Sequence, residues 1–351
     1  MKIDPIYKKL TEAFGISSRE EDIKTIVLEE IEKYPNYEIV KDNLGSIFAY
    51  KKSKNLNAKT IMIAGHMDEV GLMISDIRPN GAIKVIPIGG LIPEVFISQL
   101  LYVHTPSKDI PGIIGSVPPH LSKDQKVSFE DMVLDVGLNN KEEVLKAGIE
   151  IGQMVLPKTN FIYSYNQERV IAKAVDNRWG VGMALELIRD CHDKDYEFNL
   201  AIGATVQEEI GLRGAGTITY KISPDMFIAL DASPLNDLLD PNASGKMDEG
   251  FLVRLYDPSN IMRPSLFSYF KEVAKNNEIK HQIYFSKGGT DAAKAQYNKD
   301  GVVSTTIGLP ARYIHSTVSM FSIHDHMSAH KMIRALLNDI TNDKITYLQE
   351  N

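Results

Sequence analysis

The 351-residue chain has one cysteine, Cys191, so no disulfide can form within it, and a lone thiol suits a reducing compartment. No stretch approaches the roughly 20 apolar residues that a membrane-spanning helix requires. The opening Met1-Lys-Ile-Asp-Pro-Ile-Tyr7 lacks an apolar signal core. A cytoplasmic protein with no membrane partner is expected. Basic charge is also in deficit: 39 Lys and Arg stand against 46 Asp and Glu, a net charge of −7, with no basic stripe. Nucleic-acid binding needs such a stripe to neutralise phosphates, so no nucleic-acid partner is expected. The Gly-x-Ser-x-Gly elbow of serine hydrolases is missing as well. Cys191 ends an apolar helical stripe and reads as packing rather than as a nucleophile. Gly180-Val-Gly182 mimics part of a dinucleotide fingerprint, but Leu185 occupies the third glycine position.

What is present is enough for a substantial core: 43% of residues are hydrophobic and 24% charged. The length suits two domains, or one large domain with an insertion. Asp4 before Pro5 predicts a helix that Gly15 would close. Ser18-Arg-Glu-Glu21 predicts a capping box ahead of a helical stripe of Ile23, Ile26, Val27 and Ile31. Strands are expected in Tyr37-Glu-Ile-Val40, in Ser46-Ile-Phe-Ala-Tyr50 and in the run ending at His66. From about Gly71 to Ile162 the texture changes. Eight of the 16 prolines fall there, between short β-rich pieces such as Gly71–Ser75, Ala82–Ile86, Leu100–His104, Gly112–Gly115 and Met132–Val136. Such spacing predicts a small all-β barrel or sandwich inserted into an α/β domain. Helical stripes return at Val181, Ala184, Leu185 and Ile188, and again at Ile333, Leu336, Leu337 and Ile340.

Several apolar runs end in metal-binding residue types. Thr60-Ile-Met-Ile-Ala-Gly65 leads into His66-Met-Asp68-Glu69, and Leu200–Val206 leads to Glu208-Glu209. Met226–Leu230 leads to Asp231, and Val302–Leu309 leads shortly to His315. Ligand sites in open α/β sheets lie at the carboxyl ends of such strands, and adjacent like charges there call for a cation. His66, Asp176, Glu209, Asp231 and His315 supply five imidazole and carboxylate ligands of the kind zinc accepts. One bridging aspartate, with one histidine and one further carboxylate per ion, would use all five in a two-metal site. Glu208 is then free to act as a general base, and Asp68 can orient the His66 imidazole. Read singly, each has a plainer explanation: Glu208-Glu209 as a solvated turn, Asp176-Asn177 as a helix cap. His326 and His330 are spaced for chelation but read as a solvated helix start. His104, His120, His192 and His281 have no ligand partners nearby in sequence.

The blocks Ala64-Gly-His-Met-Asp-Glu-Val-Gly71, Ala174-Val-Asp-Asn-Arg178, Gln207–Ala215, Gly288-Gly-Thr-Asp-Ala292 and Arg312-Tyr-Ile-His-Ser316 resemble the signatures of metallopeptidase family 42. They come in that family's order and span most of the chain. The resemblance implies a mixed-sheet α/β metallopeptidase domain, residues 1–70 and 163–351, with helices on both faces. Residues 71–162 would be an inserted β-barrel-like oligomerisation domain. It further implies two divalent metal ions per subunit, zinc foremost, with cobalt or manganese equally suited to these ligands. His66 and Asp231 would complete one ion and Glu209 and His315 the other, with Asp176 bridging, Glu208 as base and Asp68 orienting His66. The implied activity is removal of amino-terminal residues from peptide substrates by a cytoplasmic homo-oligomer, with twelve-subunit particles common in the family. The chain departs from relatives after Asp231, where Ala232–Asp240 lacks a glycine-rich acidic turn, and at Phe321-Ser-Ile-His-Asp-His326.

Two other readings stay open at this level. Glu208 with Asp68 or Asp231 could form the carboxylate pair of a glycoside hydrolase. A metal-bound, non-catalytic, self-assembling scaffold would keep the ligands without needing Glu208. For substrate choice, Lys287 and Arg312 flank motif segments, and a cation beside the metals would favour acidic amino-terminal residues.

Overall fold

Two helices open the chain, α1 (Ile6–Glu12) and α2 (Glu21–Ile31). The computed structural model describes residues 2–116 and 127–351, so His120 lies outside the described residues. The Asp4 carboxylate accepts the Ile6 N–H at 2.8 Å, as a residue ahead of a first-turn proline should. Gly15 does not close α1, which ends at Glu12. It sits instead in a crowded turn where a Cβ would meet Ile23 at 2.6 Å. The expected capping box is replaced by an inward turn. Ser18 takes φ 68°, and Glu20 is fully buried, its Oε1 accepting the N–H groups of Ser18 at 2.9 Å and Gln207 at 3.1 Å. The Ser18 N–H thus goes to Glu20 rather than to Glu21 of the expected box, and the same Glu20 oxygen takes a backbone donor from a distant strand end.

Next come β1 (Glu38–Lys41), β2 (Ile47–Lys51) and β3 (Thr60–His66), followed by the strands of the insertion. These are β4 (Gly71–Ile77), β5 (Ile83–Ile88), β6 (Leu100–His104), β7 (Asp109–Ile114), β8 (Val133–Asp135) and β9 (Met154–Leu156). They close into a barrel in the order β4-β5-β8-β7-β6-β9 around Leu72, Ile74, Val85, Leu101, Val103 and Leu134. Closure leaves no open edge in this small sheet. One short helix, α3 (Lys141–Lys146), departs from the all-β expectation. Its start is set by Asn140, whose side chain accepts the Glu143 N–H at 2.9 Å.

The rest of the chain runs through β10 (Ile162–Tyr163), β11 (Arg169–Ala172), α4 (Val175–Cys191), β12 (Asn199–Thr205), α5 (Arg213–Ile222) and β13 (Met226–Leu235). Then follow β14 (Phe251–Asp257), β15 (Asn260–Ile261), α6 (Pro264–Asn276), β16 (His281–Phe285), α7 (Asp291–Ala295), β17 (Val303–Arg312), β18 (Ser319–Ser322), α8 (Ile323–Asp339) and α9 (Asn342–Glu350). With β1 to β3 these strands make a 12-stranded mixed sheet whose main path is β1-β2-β12-β3-β13-β17-β18-β11-β10. Its centre, β12-β3-β13-β17, is parallel. Helices cover both faces of this centre, which is why β3, β12 and the first half of β13 read as nearly continuous apolar runs rather than alternating ones. Ile61 and Ile63 pack on the side of α1, α2, α4 and α8, whereas Met62 and Ala64 meet Ile218 of α5 and Ala292 and Ala295 of α7. Among the described residues, no helix is long and apolar enough to cross a membrane.

Register decides where the sheet opens. On one side β3 stays paired with β12 up to Thr205↔His66; on the other its pairing with β13 stops at Ala229↔Ala64. Asp231, expected at a strand end, lies inside the ten-residue β13, which runs on paired with β17. The crevice therefore forms where β3 parts from β13, between His66 and Asp231, as expected for the carboxyl end of a parallel sheet.

Candidate metal centre

Six side chains converge on this crevice. His66 closes β3, Asp231 comes from β13, and Glu208 and Glu209 follow β12. Asp176 sits at the entry to α4, and His315 follows β17. The His66 Nε2 lies 3.2 Å from Asp176 Oδ1, 3.7 Å from Asp231 Oδ1 and 3.8 Å from Glu208 Oε2. The His315 Nε2 lies 3.3 Å from Asp176 Oδ2 and 3.5 Å from Glu209 Oε1. The two imidazoles thus approach different oxygens of one carboxylate. Two ligand groups result, His66–Asp176–Glu209 and His66–Glu208–Asp231, each with its ligand atoms within 4.8 Å of one another.

The backbone around these groups is held in unusual conformations. Ala174, Gln207 and His315 have φ of 52°, 55° and 57°, and the Asp176–Asn177 peptide is cis. Left-handed non-glycine residues cluster at functional sites because surrounding contacts must over-determine them. Those contacts are visible here. Asn177 donates to the Leu230 carbonyl at 2.7 Å and accepts the Gly180 N–H at 3.0 Å. Arg178, fully buried, donates to the carbonyls of Met67 and Leu10 at 2.7 Å and of Gly15 at 3.1 Å. It also reaches Glu69 Oε1 at 3.1 Å, and buried Lys173 reaches the same oxygen at 2.6 Å. This knot ties the loop after His66 to the loop before Asp176. Removing one partner of a buried ion pair costs about 3–5 kcal/mol, so the knot is a strong local constraint.

The Asp68 carboxylate, expected to orient His66, is not the nearest acceptor to that ring. The imidazole Nδ1 is closer to the Asp68 carbonyl, at 3.0 Å, than to its carboxylate, at 3.5 Å. A proton on Nδ1 would be donated to that carbonyl, which leaves the Nε2 lone pair turned toward the carboxylates of the crevice. The carboxylate itself accepts Ser17 Oγ at 2.6 Å and the N–H groups of Glu208 at 3.0 Å and Glu209 at 3.1 Å. Asp68 therefore fixes the peptide that carries both glutamates. Ser17 and Glu20, which support this peptide from the amino-terminal segment, carry no signal in the sequence pattern. Asp291 lies behind β12, bonded by the Thr205 hydroxyl, and burial pushes its carboxyl up to about 7.

Charge explains what this donor set can hold. Burial pushes Glu208 well above the carboxylate range; His66 pulls it back, while Glu209 and Asp231 repel its charge. Burial and repulsion from Asp176 push Glu209 up to about 8, and Asp231 is raised for the same two reasons. Burial works against charge on His66 too, yet Glu208, Asp176, Asp231 and Asp68 hold it well above its usual value. Burial also opposes charge on His315, but Asp176 and Glu209 hold it at about 10. Burial would raise Asp176, but hydrogen bonds from both imidazoles bring it below the usual range. Glu209 Oε1 is buried with no hydrogen-bond partner among the described residues. Dense carboxylates that bind protons on their own imidazoles make the same demand a divalent cation meets, and an orphaned carboxylate oxygen suits a ligand. The residues present fit a metal pair.

The crevice widens into a cavity of about 560 Å³, lined by His66, Asp176, Glu208, Glu209, Asp231 and His315 on one side and by Arg254, Ser259, Ser286 and Gly288 on another. That is the size of a small-ligand pocket. The two cations expected to face it do not. Arg312 makes paired 2.7 Å bonds to Asp237, and Lys287 is an exposed residue outside the lining. The cation on the wall is Arg254. It is buried, bonded to Ser233 Oγ at 2.8 Å and to the Gly288 carbonyl at 3.2 Å, with Asp257 at 3.8 Å. Its Nε has no partner among the described residues. The signal for it was a single arginine interrupting the apolar run Phe251-Leu-Val-Arg254-Leu.

The remaining histidines stay outside the centre. His326 is not at a solvated helix start: it is buried, and the Trp179 Nε1 donates to its Nδ1 at 3.2 Å. His330 pairs with Asp190 at 2.9 Å. Cys191 is buried, with the Tyr196 hydroxyl donating to its sulfur at 3.2 Å.

The chain is similar to known aminopeptidases along most of its length. The glutamyl aminopeptidase of Lactococcus lactis subsp. cremoris is 41% identical over 314 residues, covering 88% of each chain. The solved TET aminopeptidase of a marine-sediment Thaumarchaeota archaeon superposes with a TM-score of 0.93 at 33% identity, over 98% of both chains. The TET1 peptidase of Pyrococcus horikoshii, which can assemble into a tetrahedron or a large octahedral shell, gives 0.86 at 29% identity, covering 95% of this chain and 99% of its own. The model of the M42 glutamyl aminopeptidase family matches residues 45–332. A likeness that spans the central strands, the barrel and every loop at the crevice identifies the chain as a member of the M42 glutamyl aminopeptidase family, and so as a peptidase.

Proposed function

We propose that the chain is a dinuclear metal aminopeptidase that removes acidic residues from the amino termini of peptides. The observation that carries this reading is the position of Asp176, one oxygen facing His66 and the other facing His315. His66 and Asp231 would hold one cation and Glu209 and His315 the other, with Asp176 shared. When bound, two divalent ions, zinc by ligand type with cobalt or manganese equally suited, supply Lewis-acid polarisation of the scissile carbonyl and a water acidified toward neutrality.

The chain's own residues supply the rest. Glu208 stands beside the ligands on the cavity wall, where its carboxylate takes the proton of the attacking water and returns it to the leaving nitrogen. Asp68 keeps Glu208 and Glu209 in place through their backbone N–H groups. The acidic wall of the cavity attracts the free ammonium of a peptide's first residue, which favours exopeptidase action. Arg254, on the lining of the same cavity, would donate a charge-assisted bond to the carboxylate of an acidic side chain.

The test is a panel of glutamyl, leucyl and lysyl substrates with and without a chelator. Glutamyl should be cleaved best, with all activity lost on chelation and recovered with added divalent metal. Arg254→Met should lower kcat/KM for the glutamyl substrate by about 10–100-fold, the worth of one hydrogen bond to a charged group, and leave the leucyl value nearly unchanged. If lysyl or leucyl is preferred and Arg254→Met leaves the ranking as it was, the acidic specificity is wrong.

The glycoside hydrolase alternative fits the geometry poorly. Glu208 and Asp231 offer oxygens within 4.8 Å of each other with the His66 nitrogen among them, closer than the roughly 5–9.5 Å that flank a sugar. A scaffold without catalysis gives no role to Glu208 or to the cavity. The cytoplasmic reading rests on the single buried Cys191.

Assembly is the other part of the proposal. The barrel exposes apolar side chains, Leu100 and Ile113 at 52% each and Ile92 at 60%. Together with the tetrahedral assembly of the Pyrococcus horikoshii relative, this supports a homo-oligomer, most simply a dodecamer built from dimers. Light scattering of the purified protein should give a mass near twelve chains. A stable, active monomer at working concentration would refute it.

A further inference from the structure

We infer that the inserted barrel completes the metal centre, with Gly90 as the positioning residue for His315; this rests on the dinuclear reading above. The contact is direct. The His315 Nδ1 lies 2.7 Å from the Gly90 carbonyl oxygen, which accepts its proton and leaves Nε2 turned toward Asp176 and Glu209. His66 has the matching arrangement within its own loop, through the Asp68 carbonyl. The two halves of the centre are thus oriented by different bodies of the fold: one by the catalytic domain, the other by the loop that follows β5 of the barrel.

Two further features place that loop. β4 leaves the His66–Val70 segment directly, and its first residue pairs with the last of β5 in the register Gly71↔Ile88. Gly89 and Gly90 are therefore returned to the loop that carries His66 and Asp68. Gly89 has φ +87°, and a Cβ there would stand 2.7 Å from Val70 and 3.2 Å from the Glu209 Cβ. A side chain would push directly on a ligand. At Gly90 a Cβ would stand 3.4 Å from His315 Nδ1 and 3.6 Å from its Cε1, which is ordinary contact. Alanine fits at Gly90, and anything branched displaces the imidazole. A hydrogen-bond partner of a metal-binding histidine sets its tautomer and ring orientation, and losing one costs about 10–100-fold in metal affinity.

The experiment titrates cobalt(II) into metal-free full-length protein, with calorimetry for affinity and visible absorption for ligand geometry. Wild type and Gly90→Ala should take up two ions with similar affinities. Gly90→Val should bind its first ion as wild type does and its second about 10–100-fold more weakly, with unchanged melting temperature and particle mass. In a His315→Ala background, Gly90→Val should add no further loss, because there is no imidazole left to displace. Should Gly90→Val fail to fold, Gly90→Leu gives the same reading, its more flexible branched side chain reaching the same imidazole. Two unaltered affinities in the folded variant, or an equal loss with and without His315, overturn the inference. Wild type that binds a single ion overturns the dinuclear reading instead.

Discussion

Glu208→Gln is expected to lower turnover by about 10²–10⁴-fold while both cations remain bound. Glutamine keeps the shape of the side chain and the 208 N–H that Asp68 accepts at 3.0 Å, so the peptide carrying Glu209 stays in place. What is lost is the capacity to take a proton, and with it the base that acts on water and the acid that serves the leaving nitrogen. KM should change little, since the cavity wall keeps its shape. The competing possibility is written in the same geometry, because Glu208 Oε2 is 3.8 Å from His66 Nε2 and shares a ligand group with Asp231. Metal analysis separates the two. If Glu208→Gln loses an ion while Glu209→Gln keeps both, the two glutamates have exchanged roles.

Asp176→Ala should abolish activity and remove both ions, whereas His66→Ala and His315→Ala should each weaken one. The asymmetry follows from Asp176 lying close to both imidazoles, at 3.2 and 3.3 Å, through different oxygens. The fold should survive the change. The loop is held by Asn177 on the Leu230 carbonyl and by Arg178 on Met67, Leu10 and Gly15, none of which involves the Asp176 side chain. Counting ions per chain by elemental analysis after dialysis, beside the far-ultraviolet spectrum of each variant, checks this. One ion per chain at saturation in wild type, or an Asp176→Ala variant that retains its metals, would remove the two-metal mechanism.

How much of this was legible beforehand depended on whether the contact was local. The apolar runs that lead to His66 and to Glu208-Glu209 became parallel strands, since a strand buried on both faces leaves an apolar record. β17, which leads to His315, became one despite Ser304-Thr-Thr306 in its sequence. Asp231 was found for the right residue type but the wrong place, because β13 continues past it on the strength of pairing with β17. The insertion announced itself through proline and short β pieces. Its helix α3 did not, being a single capped turn of chain.

Pairs far apart in sequence were another matter. Glu20 and Gln207 are 187 positions apart, and Gly90 and His315 are 225 apart. Nothing in either local pattern marks them. Arg312 and Lys287 looked like cavity cations by their nearness to motifs, yet Asp237 neutralises the first and the second lies off the wall. Arg254 takes that place because β14 is laid against β17 in an antiparallel register, Leu252↔Gly308, that no local rule predicts. By itself the sequence determined the candidate ligand types, the strands that carry them and the presence of an inserted β module, because apolar periodicity and residue chemistry are local properties. Tertiary structure alone set the distances that bring Asp176, the bridge implied by resemblance, against both histidines. It also decided which cation faces the cavity and which backbone oxygen meets each imidazole, because those depend on strand register and on surfaces brought together from distant parts of the chain.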